Sequence, residues 1–308
     1  MTADSRLCLV LGLLAGLGVG CRAERPPPEA ASPVPGAPDT AAAEPAVGTA
    51  DDAGPEPEAE VRHAASDAGP PAVSGAGDVG AADPGLPLLP DGPFVLPVEG
   101  FEPAVAVPPA ESFQGVAPPI VILHGNFDRP EWQCGTWAAV GTAHGWLLCP
   151  RGSPRTDVDP TLDRWTWDGP EAAAREVSAA VRALRTAWPD RLRDEGAVLV
   201  GFSLGARYAP AVAAADVGIR FESLVLVEQG FAVTSADVQA AREAGVARVV
   251  YACGERTECP ARAETASARW ERAGVAVERL VMEGVGHAYP EKFDPLAERV
   301  FEALAALP

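Results

Sequence analysis

Basic side chains are scarce in this sequence of 308 residues, and lysine occurs only once, at Lys292. Lysine and arginine together number 24, against 43 aspartates and glutamates, which gives a formal net charge of −19. Proteins that bind a phosphate backbone need clusters of basic side chains. The deficit of basic residues therefore argues against nucleic acid as a partner.

The apolar run near the N-terminus, Leu7 to Val19, is too short to span a membrane. It has about 13 residues, whereas a spanning helix needs about 20. With Arg6 before it, the run is typical of the hydrophobic region of a signal peptide. Gly18-Val19-Gly20-Cys21 resembles the lipobox of bacterial lipoproteins, which implies that Cys21 is lipidated and becomes the new N-terminus. Leu17 lies one place further from Cys21 than in the usual pattern, so ordinary secretion and a retained anchor stay open as alternatives.

Phenylalanine, tyrosine and tryptophan are absent from Arg22 to Pro90, where proline, alanine, glycine and acidic residues prevail. Such a composition cannot bury enough apolar surface to offset the entropy lost on folding. We therefore predict a signal peptide over residues 1–20, a disordered acidic tether over 21–92, and one folded domain over 93–308. Residues 75–80 match a dinucleotide-binding glycine pattern, but no strand precedes them and no helix follows, so no cofactor is predicted.

The six cysteines fit a protein of an oxidising compartment. Cys8 would be lost with the signal peptide and Cys21 would carry the lipid, which leaves an even number for disulfides. The other four form two pairs that are close in sequence, so we predict the disulfides Cys134–Cys149 and Cys253–Cys259. No metal site is predicted, because the spacings are unlike those of zinc ligands and only His144 lies near any of these cysteines.

Short apolar runs alternate with helical segments from Phe94 to the C-terminus. The predicted strands are Phe94–Val98, Ala104–Val107, Pro119–Leu123, Trp146–Cys149, Val198–Val200, Ser223–Val227, Arg248–Cys253 and Val275–Met282. The predicted helices are Pro170–Ala187, the alanine-rich segment after Ser203, Ala236–Ala244, Pro260–Ala273 and Pro290–Leu307. This alternation indicates an α/β fold with a mostly parallel central sheet covered by helices on both faces.

The stretch Gly201-Phe202-Ser203-Leu204-Gly205 lies between a predicted buried strand and a predicted helix. In that setting Gly-x-Ser-x-Gly is typical of a nucleophile elbow, a sharp turn that raises the serine above the sheet. Glycine is needed at both ends because a Cβ there would clash with the neighbouring strand or helix. We therefore predict that Ser203 is a nucleophile; the alternative is a structural turn.

Three motifs, in this order along the chain, resemble the α/β-hydrolase superfamily over residues Phe94–Pro308. They are Leu123-His124-Gly125 after an early strand, the elbow at Ser203, and Gly286-His287 after the last strand. Within the superfamily, the chain looks most like secreted esterases of the polyhydroxyalkanoate depolymerase and feruloyl esterase kind. The resemblance implies an α/β-hydrolase fold and a structural role for His124.

The resemblance also implies an oxyanion hole with two hydrogen-bond donors. One would be the backbone N–H of Leu204, directly after the nucleophile. The other would come from Asn126 or Phe127, in the loop after the early strand. Asn126 is the only asparagine in the chain; its side chain is a further possible donor, and a plain turn role is the alternative.

A serine nucleophile needs a general base, and the four histidines leave one good candidate. His63 lies in the predicted tether, His124 beside the expected oxyanion hole, and His144 just before a strand, where a surface or packing role is expected. His287 alone follows the last strand, in the order serine, acid, histidine of this fold. We therefore predict that His287 is the base.

The acid that orients the histidine is where this sequence departs from the family pattern. The family often has Gly-x-x-Asp after the strand that ends here at Cys253, but Thr257 stands where the aspartate would fall. Glu258, one place later, is the preferred candidate, because a disulfide from Cys253 to Cys259 would fix its loop. Glu255 is an alternative, and so is Glu228 at the end of the preceding strand.

Together these residues predict an exported serine hydrolase that cleaves a small-molecule or polymeric ester through an acyl-enzyme. A lipid anchor is its expected contact with the membrane of the cell envelope, unless the protein is secreted. Trp165, Trp167 and Tyr208 either line an acyl or aryl pocket or pack in the core. A binding protein that has lost its acid and an acyltransferase are the alternative functions.

Overall fold

The computed structural model describes residues 89–110 and 116–306. The predicted signal peptide, Cys21 and almost all of the predicted tether lie outside the described residues. His63 and the glycine pattern of residues 75–80 also lie outside them. The first described strand begins at Phe94, next to the predicted start of the domain at residue 93.

An eight-stranded sheet forms the centre of the described domain. The strands in chain order are β1 (Phe94–Leu96), β2 (Ala104–Val107), β3 (Pro119–Leu123), β4 (Trp146–Cys149), β5 (Ser153–Pro154), β6 (Trp165–Thr166), β7 (Ala197–Phe202), β8 (Phe221–Val227), β9 (Arg248–Gly254) and β10 (Ala276–Met282). Their order across the sheet is β1-β2-β4-β3-β7-β8-β9-β10, while β5 and β6 form a separate hairpin. β2 pairs antiparallel with β1 on one side and with β4 on the other, and the remaining neighbours in the sheet pair parallel.

Within residues 89–110 and 116–306, six α-helices cover the two faces of this sheet. They are α1 (Pro130–Gly141), α2 (Pro170–Ala187), α3 (Leu204–Ala214), α4 (Ser235–Ala244), α5 (Cys259–Arg272) and α6 (Asp294–Ala306). Because strand side chains alternate, Val121 and Leu123 face a core shared with α2, α3, α4 and α5. Ile120 and Ile122 face the opposite core, shared with α1 and α6. This architecture is the α/β-hydrolase fold, so the fold prediction is confirmed.

Helix α1 and the hairpin of β5 and β6 were not predicted from the sequence. Helix α1 buries Cys134 and Trp137 but also the polar Gln133, while the apolar Trp132 and Val140 are only partly buried. That mixture obscures the period of 3.6 residues by which helices are recognised. The hairpin of β5 and β6 has strands of only two residues each, too short for an alternating pattern.

Both predicted disulfides are present. Cys134–Cys149 links α1 to the end of β4 across 15 positions of the chain, and Cys253–Cys259 links β9 to the first residue of α5 across 6. The second disulfide therefore closes the short loop that carries Glu255 and Glu258. Within residues 89–110 and 116–306, no helix has the length and apolar character needed to cross a membrane.

Candidate active site

Ser203 stands on a sharp turn between β7 and α3, as the elbow motif predicts. Its backbone has φ 49° and ψ −112°, a conformation that residues with a Cβ rarely adopt. A Cβ on Gly201 would lie 2.5 Å from Cα of Ala206, and one on Gly205 would overlap the carbonyl oxygen of Leu123. The close approach of strand and helix at this corner therefore requires both glycines.

His287 reaches Ser203 from the loop between β10 and α6. Its Nε2 atom lies 2.8 Å from the Oγ atom of Ser203, within hydrogen-bond distance. The ring also packs near the ring of Phe202, with 5.5 Å between the centroids. The structure thus brings the predicted nucleophile and the predicted base together, although 84 positions of sequence separate them.

Glu228, at the end of β8, supplies the carboxylate beside His287. Its Oε2 atom lies 3.3 Å from Nδ1 of His287, and its side chain is completely buried. Its Oε1 atom accepts a hydrogen bond from the backbone N–H of Gly254. In the described part of the chain, Oε2 has no hydrogen-bond partner, and its contact with Nδ1 of His287 is an ion-pair distance. A buried carboxylate needs a partner, and the imidazole is the one available to this oxygen.

The structure corrects the preferred placement of the acid at Glu258. That side chain is 78% exposed and pairs with Arg262 at 2.7 Å, because α5 begins at the next residue and directs it into solvent. Glu255 accepts a hydrogen bond at 2.8 Å from the backbone N–H of Gly284, which lies three residues before His287. Thr257, where the family aspartate would fall, donates to the carbonyl of Gly254. The carboxylate at His287 is therefore that of the reserve candidate, Glu228.

The loop between β3 and α1 passes directly beside Ser203, and we refer to residues 124–128 as the oxyanion loop. A Cβ on Gly125 would lie 3.4 Å from Cβ of Ser203. The N–H of Gly125 is taken up by Asp128 at 3.2 Å. The backbone N–H groups of Asn126, Phe127 and Leu204 donate to no other atom of the described residues. These three N–H groups therefore stay the candidates for donors of an oxyanion hole.

The side chain of Asn126 is turned toward the hairpin of β5 and β6. Its Oδ1 atom accepts hydrogen bonds from Arg155 Nη1 at 2.5 Å and from Thr166 Oγ1 at 2.8 Å. Both partners belong to the segment between β4 and α2. The side chain therefore ties the oxyanion loop to that segment, in addition to any part taken by its backbone N–H.

His124 has the structural role that the family resemblance implies. Its ring nitrogens lie 2.7 Å from the carbonyl oxygen of Gly125 and 2.6 Å from that of Arg151, and the side chain is completely buried. Burial lowers the pKa of His124, while the nearby charge of Asp128 opposes that shift. Trp167 stacks on the imidazole and donates its indole N–H to the carbonyl of His124 at 2.9 Å. These contacts hold the start of the oxyanion loop.

A second set of hydrogen bonds joins the oxyanion loop to the loop of His287. Asp128 accepts from Gln133 Nε2 at 2.6 Å, and the Oε1 atom of Gln133 accepts from the hydroxyl of Tyr289 at 2.8 Å. Burial raises the pKa of Tyr289, so its hydroxyl stays neutral and can donate. The loops on either side of Ser203 are therefore connected through α1. Sequence reasoning missed this connection because its members come from three separate elements.

The aromatic residues that either line an acyl or aryl pocket or pack in the core make packing contacts, as does His144. Trp167 is buried against His124, Tyr208 is partly buried against the core, and Trp165 lies under the guanidinium of Arg151 at 5.0 Å. His144 stacks on Phe301, with 3.9 Å between the ring centroids, and burial lowers its pKa. The interpretation of these aromatic residues as packing groups is therefore the one that the contacts favour.

Comparisons with known proteins found no matching family model and no matching curated protein. Among solved structures, the chain is 16% identical to an uncharacterized protein from Bacillus cereus, with a TM-score of 0.49; the match covers 60% of this chain and 58% of that one. Esterase PE8 is 16% identical with a TM-score of 0.49, covering 64% of this chain and 97% of that one. Esterase B from Lactobacillus rhamnosis is 11% identical with a TM-score of 0.48, covering 69% and 85%. These likenesses do not by themselves assign a function to this chain.

Proposed function

We propose that the protein is a serine hydrolase that cleaves an ester through an acyl-enzyme intermediate. The observation that carries this proposal is the contiguous set of Ser203, His287 and Glu228. Oγ of Ser203 lies 2.8 Å from Nε2 of His287, and Nδ1 of His287 lies 3.3 Å from the carboxylate of Glu228. A nucleophile, a base and a group that orients the base are the parts of a serine hydrolase triad.

In the first half-reaction, Ser203 transfers its hydroxyl proton to Nε2 of His287 as Oγ attacks the ester carbonyl. The carbonyl oxygen becomes an oxyanion, for which the N–H groups of Leu204 and of Asn126 or Phe127 are the proposed donors. The intermediate collapses, the C–O bond to the alcohol breaks, and His287 returns its proton to the departing alcohol. The product of this half-reaction is the free alcohol and an ester of Ser203.

In the second half-reaction, water takes the place of the alcohol. His287 removes a proton from the water, whose oxygen attacks the acyl carbon and forms a second oxyanion. Collapse of this intermediate breaks the bond to Oγ, and His287 protonates Ser203. The carboxylic acid leaves, and the protein returns to its starting state.

Glu228 suits the third position because its charge is both buried and fixed. The carboxylate faces Nδ1, which requires the tautomer with hydrogen on Nδ1 and leaves Nε2 free to accept the proton of Ser203. When His287 becomes positively charged, the adjacent carboxylate stabilises it. The hydrogen bond from Gly254 holds the other oxygen, so the carboxylate does not have to reorient during the reaction.

The substrate that we propose is a small-molecule or polymeric ester. The side chain of His287 is 52% exposed, so an ester can approach the serine from solvent. The loops after β3, β8 and β9 are short, at residues 124–129, 228–234 and 255–258. The segment of residues 150–169 is longer, and it packs against the oxyanion loop. These features favour an open site over a deep, narrow pocket.

Substitution of the proposed nucleophile tests this function directly. We expect Ser203→Ala to abolish both hydrolysis of p-nitrophenyl esters and labelling by a fluorophosphonate, which reports an activated serine. The exposed Ser235, at the start of α4, offers Ser235→Ala as a matched control that should keep both. Undiminished labelling of Ser203→Ala would contradict the proposal.

Two results would favour the alternative functions. A parent protein that neither labels nor turns over esters would favour a binding protein. Transfer of the acyl group to an added alcohol in preference to water would favour an acyltransferase.

We further propose that the protein is exported and anchored through lipid on Cys21. The disulfides Cys134–Cys149 and Cys253–Cys259 support an oxidising compartment. The small residues before Cys21 support lipidation, and more than one acyl chain would be needed for stable anchoring. Mass spectrometry of the purified protein tests this proposal: an acylated Cys21 at the N-terminus is expected, and an unmodified N-terminus elsewhere would refute it.

A further inference from the structure

Arg155, in the turn after β5, contacts two residues of the oxyanion loop at once. Its Nη1 atom donates to Oδ1 of Asn126 at 2.5 Å. Its guanidinium carbon lies 3.6 Å from the centroid of the Phe127 ring, which is close for a cation–π contact. These two residues are the candidates for the second backbone donor of the oxyanion hole. A single side chain therefore contacts both of them.

The guanidinium of Arg155 is itself fixed in place. Asp157 accepts hydrogen bonds from Nε, at 2.8 Å, and from Nη2, so the two side chains meet as a bidentate pair. The hydrogen bond from Arg155 lowers the pKa of the Asp157 carboxyl group, which therefore stays charged. The Arg155 side chain is only 14% exposed. Its planar group can thus act as a rigid support rather than as a mobile surface charge.

The oxyanion loop needs such support, because its backbone is strained at Phe127. This residue has φ 60°, in the left-handed region that residues with a Cβ adopt only at a cost. Strained conformations persist where surrounding contacts hold them. Arg155 covers the Phe127 ring, and the hydroxyl of Thr166 joins Arg155 on Oδ1 of Asn126 at 2.8 Å. The backbone N–H of Trp165 adds a hydrogen bond to the carbonyl of Asp128 at 3.1 Å.

We propose that Arg155 is a positioning residue of the oxyanion hole, which it keeps in the donor geometry by holding Asn126 and Phe127. This inference rests on the proposed function, and it adds a residue outside the three motifs and the acid. Arg155 touches neither Ser203 nor His287, so it acts through the loop. Its role predicts a loss in the chemical step rather than in substrate binding, because an oxyanion forms only after attack.

The expected size of the effect lies below that of losing a donor outright. Removing one oxyanion-hole donor costs on the order of 10²- to 10³-fold in kcat. A displacement of about 1 Å in a catalytic group can cost about 10²-fold. We therefore expect Arg155→Met to lower kcat by roughly 10- to 100-fold and to leave KM within about two-fold, since a loosened loop keeps its N–H groups but misplaces them.

The experiment compares Arg155→Met, Arg155→Lys and a control in the full-length protein with p-nitrophenyl acetate. Arg164→Met is the matched control, because the Arg164 guanidinium lies over Trp132 and donates to the carbonyl of Leu162, both outside the oxyanion loop. Arg155→Lys keeps the charge but loses the planar fork, so it should recover only part of the rate. In Arg155→Ala, millimolar guanidinium ion should restore part of kcat, and the fluorophosphonate labelling rate should change in parallel.

Three results would overturn the inference. Unchanged kcat in Arg155→Met, with normal turnover by the parent protein, would show that the loop does not need Arg155. A raised KM with unchanged kcat would make Arg155 a binding residue instead. An equal loss of kcat in Arg164→Met would show a general effect of the hairpin. If the parent protein shows neither turnover nor labelling, the proposed function itself is wrong and this inference is wrong with it.

Discussion

Two neighbouring loops at the carboxyl ends of parallel strands carry glutamates, one of which is buried and the other exposed. The loop after β8 begins with Glu228, whose side chain is completely buried against His287. The loop after β9 ends with Glu258, whose side chain is 78% exposed and pairs with Arg262. The two residues have the same chemistry and both follow parallel strands. Only the backbone around them decides which carboxylate reaches the imidazole.

The backbone conformation at each glutamate explains the difference. Glu228 has φ 61°, so the chain turns sharply at the end of β8. Glu258 has φ −78° and ψ −6°, which are helical values, and it is the N-cap residue of α5, the last residue before Cys259 in the disulfide loop. Side chains at the start of a surface helix point toward solvent unless the helix is buried. A left-handed residue at a strand end can be a sign of function, whereas a helical residue at a cap is not.

The end of β9 and the loop after it contribute backbone groups beside Glu228 and the loop of His287. The N–H of Gly254 donates to Glu228, and the N–H of Arg256 donates to the carbonyl of Val285 at 3.0 Å. A Cβ on Gly254 would lie 2.9 Å from Oε1 of Glu228 and 2.7 Å from the carbonyl oxygen of Val285. The end of β9 and the loop after it thus align both the proposed acid and the loop of the histidine.

Glu228→Gln should have the largest effect of the changes that test this comparison. The amide can still accept from Gly254, but its NH₂ group would then face Nδ1 of His287. That arrangement favours hydrogen on Nε2, which can no longer accept the serine proton, so kcat should fall by about 10³- to 10⁴-fold. Glu255→Gln is the control in the neighbouring loop. Steady-state kinetics that show more than a tenth of parental kcat in Glu228→Gln would exclude Glu228 as the acid.

The sequence predicted those features of the fold and the site that depend on local patterns, and it missed those that depend on contacts between distant segments. Ser203 lies in a local motif, and His287 could be selected as its partner because few histidines compete with it. The fold followed from the alternation of apolar runs and helices, which are short-range features. Glu228 was only the reserve candidate, because its contact with His287 depends on a positive φ and on the absence of a Cβ at Gly254. Arg155 was missed, because it meets Asn126 only through the fold of the hairpin.

The two disulfides offer a test of intermediate size, because they differ in what they support. We expect Cys253→Ala/Cys259→Ala to lower kcat by roughly 10-fold, since a loosened loop misplaces the N–H that holds Glu228. Cys134→Ala/Cys149→Ala should leave kcat nearly unchanged. In the chain-entropy model, however, the longer loop of the Cys134–Cys149 disulfide contributes about 3 kcal/mol to stability and the shorter one about 2 kcal/mol.

Steady-state kinetics should therefore show the larger loss of kcat in the Cys253/Cys259 double variant. Denaturant unfolding should show the larger loss of stability in the Cys134/Cys149 double variant. A larger loss of kcat from the Cys134–Cys149 pair than from the Cys253–Cys259 pair would contradict the alignment role of the loop after β9. Equal losses in both variants would point to general destabilisation.

The smallest effect is expected for Glu258→Gln, the carboxylate that the sequence favoured. Its ion pair with Arg262 spans one turn of α5 and is well exposed. Exposed pairs of this kind contribute about 0.3–0.5 kcal/mol, so removal of the charge should barely change the melting temperature. Because the carboxylate points into solvent, kcat should stay within about two-fold of the parent value, as no group of the reaction loses a partner. Glu258→Gln therefore makes the same chemical change as Glu228→Gln at a different position in the fold. A loss of 100-fold or more in Glu258→Gln would mean that His287 turns toward α5 during the reaction, and the assignment of the acid would then pass from the buried glutamate to the exposed one.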